Sequence, residues 1–256
     1  DNVAVGRRAL TKVTTGSGNV AMGSGTIELT TTGSNNTGLG FGALYANTTA
    51  DNNTAVGYAA LSVNSTGDRN TAIGAGALQS NSTGDRNTSV GAFSLEDNTT
   101  GQYNVALGHD ALANNTTANG NVAIGYTSLL ANTTGTLNAG LGHQALYSNT
   151  TGTNNTGVGT YALFYNTTAS NNTAVGMNSL LSNTTGTQNT AVGALALDAN
   201  TTASLNTAVG YTALGATTTG GSNTAVGLNS MAANTTGARN TASGQQSLAA
   251  NTTAND

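Results

Sequence analysis

The chain has 256 residues, of which 6% are charged and 4% aromatic, with a net charge of −4 and no Pro, Cys or Trp. The lack of cysteine excludes a disulfide framework and a thiolate metal site, though it does not identify a compartment. Six scattered basic residues form no patch for nucleic acid or an acidic membrane, and no apolar run is long enough to span a bilayer.

Low hydrophobicity with so few charges is unlike an ordinary disordered chain. A strict internal repeat explains it instead. From Asn2 the sequence divides into fifteen gapless blocks of 17 residues with the consensus N-[T/V]-A-[V/I/L]-G-x-x-A-L-x-x-N-T-T-[G/A]-x-x. Position 1 is always Asn, position 5 always Gly and position 14 always Thr. Position 9 is Leu in all but two blocks, where Ile27 and Met231 stand.

So short a unit cannot bury a core alone, and its Asn, Thr and Gly are poor helix formers. The repeat therefore predicts an all-β, parallel β-solenoid (β-roll) of fifteen 17-residue coils, one continuous repeat domain over residues 2–256, with coils stacked about 4.8 Å apart. Each coil is expected to begin with a strand at positions 2–4. A glycine turn follows, with Gly57, Gly74, Gly91, Gly108 and Gly125 as examples. A second strand carries an Ala-Leu pair, such as Ala60-Leu61, and a third segment carries Asn-Thr-Thr or its variant Asn64-Ser65-Thr66. Positions 4 and 9 are expected to point inward as two core columns, represented by Val56, Leu61, Ile73, Leu78, Val175, Leu180, Val209 and Leu214. Position 3 is also small and apolar, so the other face of the strand is a candidate for burial against a neighbouring copy.

In chain order, the first block opens at residues 2–6 as NVAVG, already in register, which suggests a piece of something longer. The second is irregular, with Met22 and the stretch TIELTTT at residues 26–32. Blocks four and five, residues 53–86, are near copies ending in Asp68-Arg69 and Asp85-Arg86, which predicts cross-coil ion pairs. Glu96-Asp97 marks the sixth block, and His109 and His143 share position 6 of the seventh and ninth. Ser243 replaces the aliphatic residue of the last block, and repeats run flush to both ends, so further repeats or end-to-end stacking of subunits are expected.

The stretches NVAVG (2–6), NVALG (104–108) and NVAIG (121–125), each followed by x-x-[A/S], resemble the head repeats of trimeric autotransporter adhesins. The longer form, NTAVGYTAL with a following TTTG or NTTG, also resembles repeats of phage tail-fibre and related surface-fibre proteins. The resemblance extends over every block. It implies a left-handed parallel β-roll, a homotrimer, and exposure at a cell or virion surface. The adhesin heads use coils of about 14 residues, so the 17-residue coil is a departure that leaves trimer geometry open.

Position 12 is Asn in twelve blocks: Asn47, Asn64, Asn81, Asn98, Asn115, Asn132, Asn149, Asn166, Asn183, Asn200, Asn234 and Asn251. Each begins N-[T/S]-T, an acceptor pattern for N-glycosylation. The same column could instead form a stacked ladder of amides and hydroxyls along the axis. The threonine columns raise ice binding as a minor alternative, although adjacent positions 13 and 14 would point to opposite sides of an extended strand.

No catalytic constellation is present, and no metal or cofactor site is expected. The two histidines read as solvated surface residues, and the scattered carboxylates lack the recurring Asp of calcium-binding solenoids. Aromatics gather at positions 6, 7, 10 and 11, from Phe41 to Tyr211, as a stripe for carbohydrate or for contact with another copy. The expected role is a non-enzymatic structural fibre or adhesin segment outside a cell or on a virion. Its expected partner is itself, as a homotrimer or an end-to-end filament, with no nucleic acid and no membrane insertion. The alternatives are a tail fibre binding a host surface glycan and a glycan-coated filament.

Overall fold

The computed structural model describes residues 1–255. It is a parallel β-solenoid, all-β, with one three-residue strand per 17-residue coil. The chain divides into two compact units, Asp1–Thr127 and Ser128–Asp256. The first carries β1 (Val3–Val5), β2 (Val20–Met22), β3 (Thr37–Leu39), β4 (Thr54–Val56), β5 (Thr71–Ile73), β6 (Thr88–Val90), β7 (Val105–Leu107) and β8 (Val122–Ile124). The second carries β9 (Ala139–Leu141), β10 (Thr156–Val158), β11 (Thr173–Val175), β12 (Thr190–Val192), β13 (Thr207–Val209), β14 (Thr224–Val226) and β15 (Thr241–Ser243).

Within each unit consecutive strands pair in parallel and in identical register. Thr54, Ala55 and Val56 face Thr71, Ala72 and Ile73, and Thr190, Ala191 and Val192 face Thr207, Ala208 and Val209. The ladder continues well past the strands. Leu61 donates its N–H to Ala77 of the next coil at 2.9 Å, Val63 to Gln79 at 3.1 Å and Ser65 to Ser82 at 2.9 Å. Gly74 and Gly76 donate backward, to Val56 at 2.8 Å and Tyr58 at 2.9 Å. A thin coil is thus hydrogen-bonded to its neighbours around most of its circumference, which satisfies a backbone that has little core to hide in.

The five turn glycines follow their strands with φ between +131° and +138°. At Gly91 (φ +136°) a Cβ would also lie 2.4 Å from the Gly108 carbonyl oxygen of the next coil, so conformation and stacking both demand glycine there. The second expected strand does not form. Positions 6–11 are a run of turns in which positions 7 and 9 adopt left-handed backbone, including Ala59 (φ 53°), Leu61 (φ 52°), Leu180 (φ 50°) and Leu214 (φ 52°). Leucine accepts this costly conformation because its side chain is fully buried and its N–H feeds the next coil.

The inward columns differ from the expectation at one position. Leu61, Leu78, Leu180 and Leu214 are at 0% exposure, as are the alanines Ala55, Ala72, Ala174 and Ala208 at position 3. Position 4 faces out: Val56 and Val209 are half-buried, while Ile73 and Val175 are 40% and 36% exposed. The reason is space. A Cβ built on Gly157 would sit 3.3 Å from Cγ of Leu146, the leucine of the preceding coil. The leucine fills the interior and leaves room at position 3 only for hydrogen, methyl or hydroxymethyl. Alternation then turns the larger aliphatic residue outward.

Candidate functional site

Three stretches of the coil surface are candidates, and the internal hydrogen bonds decide which is free to act. The Asn-Thr-Thr corner is built around two asparagine columns. At position 1, Asn53 Oδ1 accepts the backbone N–H of Asn70 at 2.8 Å, and its Nδ2 donates to the Gly67 carbonyl at 2.9 Å. At position 12, Asn64 Nδ2 donates to Asn47 Oδ1 at 3.1 Å and to the same Gly67 carbonyl at 2.9 Å. The pattern recurs in the second unit, where Asn183 Nδ2 donates to Asn166 Oδ1 and to the Gly186 carbonyl, both at 2.9 Å.

This geometry overturns the glycosylation candidates. Asn47, Asn64, Asn81, Asn98, Asn115, Asn132, Asn149, Asn166, Asn183, Asn200 and Asn234 are all at 0% exposure, and Asn251 is half-buried. The nitrogen that would carry a sugar points into the coil and is already a double donor. A glycan on it would have to open the solenoid, since a buried donor cannot be turned out without leaving its acceptors unpaired.

The column has a defect at Thr217, which stands where other coils have Asn. Its hydroxyl donates to the Asn234 carbonyl at 3.1 Å, and Asn200 Oδ1 is left buried without a partner. Beside the asparagines, position-13 hydroxyls form a third ladder, as in Thr184 donating to the Thr201 carbonyl at 3.0 Å. The position-14 threonines, such as Thr66 and Thr185, stand exposed.

The expected ion pairs of blocks four and five are replaced by other bonds. Asp68 Oδ1 accepts the Asp51 backbone N–H, and Asp85 Oδ1 that of Asp68, both at 2.8 Å. Arg86 turns instead to Tyr103 one coil on, with Nη1 2.7 Å from the phenol oxygen and the guanidinium 5.3 Å from the ring centre.

The second candidate is the outer strand face. Apart from Ala139 and Ser243, positions 2 and 4 carry Thr or Val beside an aliphatic residue, half-buried to exposed, with no charged residue at either position in any block. Leu39, Leu107, Val192 and Val226 are 44%, 45%, 37% and 41% exposed. This is a two-row, uncharged lattice repeating at the coil spacing.

The third is the turn edge, positions 6, 7, 10 and 11, where the sequence varies most. In the first unit Phe41 and Tyr58 stack with ring centres 5.6 Å apart and planes within 10°. In the second, Tyr147 and Phe164 stack at 5.0 Å, with Tyr161 and Tyr165 edge-on to Phe164 at 5.6 Å and 4.7 Å. His109 pairs with Asp110 at 2.9 Å, and His143 meets the Tyr161 ring at 5.4 Å.

A groove of about 610 Å³ opens along this edge in the first four coils. Phe41, Tyr45 and Val63 line its sides, and Gly25, Gly42 and Ala59 leave the floor without side-chain bulk. A Cβ on Gly42 would meet nothing within 4 Å. Arg7 and the Arg8–Glu28 ion pair close one end. Glu28 comes from the irregular TIELTTT stretch and, among the described residues, is the one charged side chain counted as buried.

Two other carboxylates are perturbed. Partial burial, then the neighbouring charges of Asp97 and Asp110, raise the pKa of Glu96 above the usual carboxylate range. Burial raises that of Asp198, against the lowering effect of its own and the Ala199 backbone N–H groups. Among the described residues no group of three or more His, Cys, Asp or Glu is placed to hold a metal, and no helix is long and apolar enough to cross a membrane. Searches of family models, of curated proteins and of solved structures return no match to this chain.

Proposed function

We propose that this chain is a structural segment of an extracellular fibre or adhesin, without enzymatic activity, that associates laterally with copies of itself. The observation that carries the reading is the outer strand face. Its Thr and aliphatic rows leave apolar side chains in water in coil after coil, and such a surface is normally covered. A face that repeats at the coil spacing is matched along its length by a partner with the same repeat, and a second copy has it by construction. A twofold or threefold bundle then gives each thin coil the extra apolar burial that its single leucine and two alanines do not supply. The N-x-A-[V/I/L]-G motif resembles surface-fibre repeats, which supports an extracellular location. Surface carbohydrate is a further partner of such a fibre.

The test is sedimentation of the intact chain beside a Val192→Lys/Val226→Lys variant. Dimers or trimers that the lysines dissociate are expected, because two charges would have to be buried in the contact. A monomer at all accessible concentrations contradicts the reading.

The same lattice favours one second reading. Outward Thr and aliphatic residues on two parallel rows suit the binding of ice, and they lie at positions 2 and 4 rather than 13 and 14. A monomeric chain that inhibits ice recrystallisation, and loses this with the lysine variant, would put ice in place of the second copy.

A further inference from the structure

We infer that the groove of the first four coils is a binding site for an amphipathic aromatic anion, a fused-ring or aryl carboxylate. The inference stands apart from self-association, because it uses none of the residues at positions 2 and 4.

The groove is unlike the rest of the edge. Positions 7 of four consecutive coils are Gly25, Gly42, Ala59 and Gly76, the last of them covered by the Phe93 ring, whereas later coils place Phe93, Asp110, Gln144 or Tyr161 there. The missing bulk opens a slot of about 610 Å³, a size that suits a small organic ligand. Phe41 and Tyr45 are the aromatic rings of the lining, and Phe41, 60% exposed and held by its stack on Tyr58 of the next coil, keeps a face for an incoming ring. Ala46, Ala59 and Val63 make most of the rest of the lining apolar.

Charge selects the sign of the ligand. Arg8 is neutralised by Glu28, whose buried carboxylate is held in that ion pair. Arg7 has no acidic partner among the described ion pairs and adds one net positive charge to the groove, in a chain whose net charge is −4. A carboxylate on the ligand would complete it. Apolar walls also decide against a saccharide. Sugar hydroxyls need partners when desolvated, and beyond the arginines and Glu28 the groove offers little more than Ser24 and Ser62.

The experiment is equilibrium dialysis of the full chain against 2-naphthoate, with 2-naphthamide as the uncharged isostere and a uronate tetrasaccharide as the sugar probe. Saturable binding of naphthoate is expected, about tenfold tighter than the amide. Arg7→Gln should erase that preference while retaining weak binding of both, and Phe41→Ala should weaken both about tenfold. Both side chains are exposed, so both variants should melt like the parent. Absence of saturable naphthoate binding, equal affinity for acid and amide, or indifference to Phe41→Ala would each overturn the assignment. Binding of the tetrasaccharide in preference to naphthoate would overturn it in favour of a sugar site.

Discussion

The Asn-Thr-Thr corner and the turn edge belong to the same coils and obey opposite rules. At the corner, Asn at position 1 and Thr at position 14 never change, and Asn at position 12 changes in only three blocks. Each corner asparagine bonds to its counterpart one coil away, so a change in one coil orphans a group in its neighbour, as Thr217 does to Asn200 of the preceding coil. At the turn edge, positions 6, 7, 10 and 11 carry residues as different as Arg, His, Phe, Glu, Leu and Gly, because there only the backbone must repeat. Uniformity belongs to the ladder, and chemical individuality to the turn edge and to positions 16 and 17, where Arg86 and Tyr103 stand. A solenoid of this kind can acquire binding sites without disturbing its stack by changing edge residues alone.

Substitutions sharpen that contrast. Gly91→Ala should have the largest effect. The new methyl meets the Gly108 carbonyl and the backbone sits at φ +136°, so a loss of about 4 kcal/mol or more is expected in urea unfolding. Leu180→Ala comes next, at about 2–5 kcal/mol, for a leucine at 0% exposure. Val192→Ala, a comparable truncation at the outward position 4, should cost under about 1 kcal/mol in the isolated chain, and equal losses at the two sites would erase the inside-outside distinction. Repair of the ladder is smaller and opposite in sign: Thr217→Asn gives Asn200 Oδ1 a donor and should stabilise by about 1 kcal/mol, read as a raised melting temperature.

The smallest effect concerns pH. Glu96 and Asp198 have pKa values raised in the folded chain, so between the ordinary carboxylate value and the raised one the folded state binds more protons than the unfolded. Their contribution to stability therefore grows as pH falls through that window and shrinks as pH rises. The melting temperature should gain slightly on mild acidification, and Glu96→Gln with Asp198→Asn should flatten the gain.

Much of this was legible in the repeat. Period, residue types and invariant glycines specify stacked parallel coils, and Leu61, Leu78, Leu180 and Leu214 read correctly as interior. Hydrophobicity misdirected the reading at position 4. Size tolerance was the better guide: position 3 admits only Ala, Gly or Ser89, the mark of a crowded interior, whereas position 4 admits Val, Met, Leu, Ile and Ser243, the mark of an open face. The left-handed turns were hidden because leucine rarely adopts that backbone, and nothing in an Ala-Leu pair announces it. The N-[T/S]-T pattern suggested sugar acceptors because a motif has no depth, and only the bonds of Asn64 and Asn183 place the column inside. The groove could be glimpsed in Gly25, Gly42 and the odd TIELTTT stretch, but its assembly from four coils required the stacking register.

The most direct test of the inside-outside arrangement is hydrogen exchange of the asparagine side-chain amides, followed by nitrogen-edited NMR of the intact chain. Buried ladders predict two families of Nδ2 protons, from positions 1 and 12, that are dispersed in shift and exchange far more slowly than free asparagine. Amides at position 12 that exchange as fast as free asparagine, or that prove to carry sugar, would contradict the account.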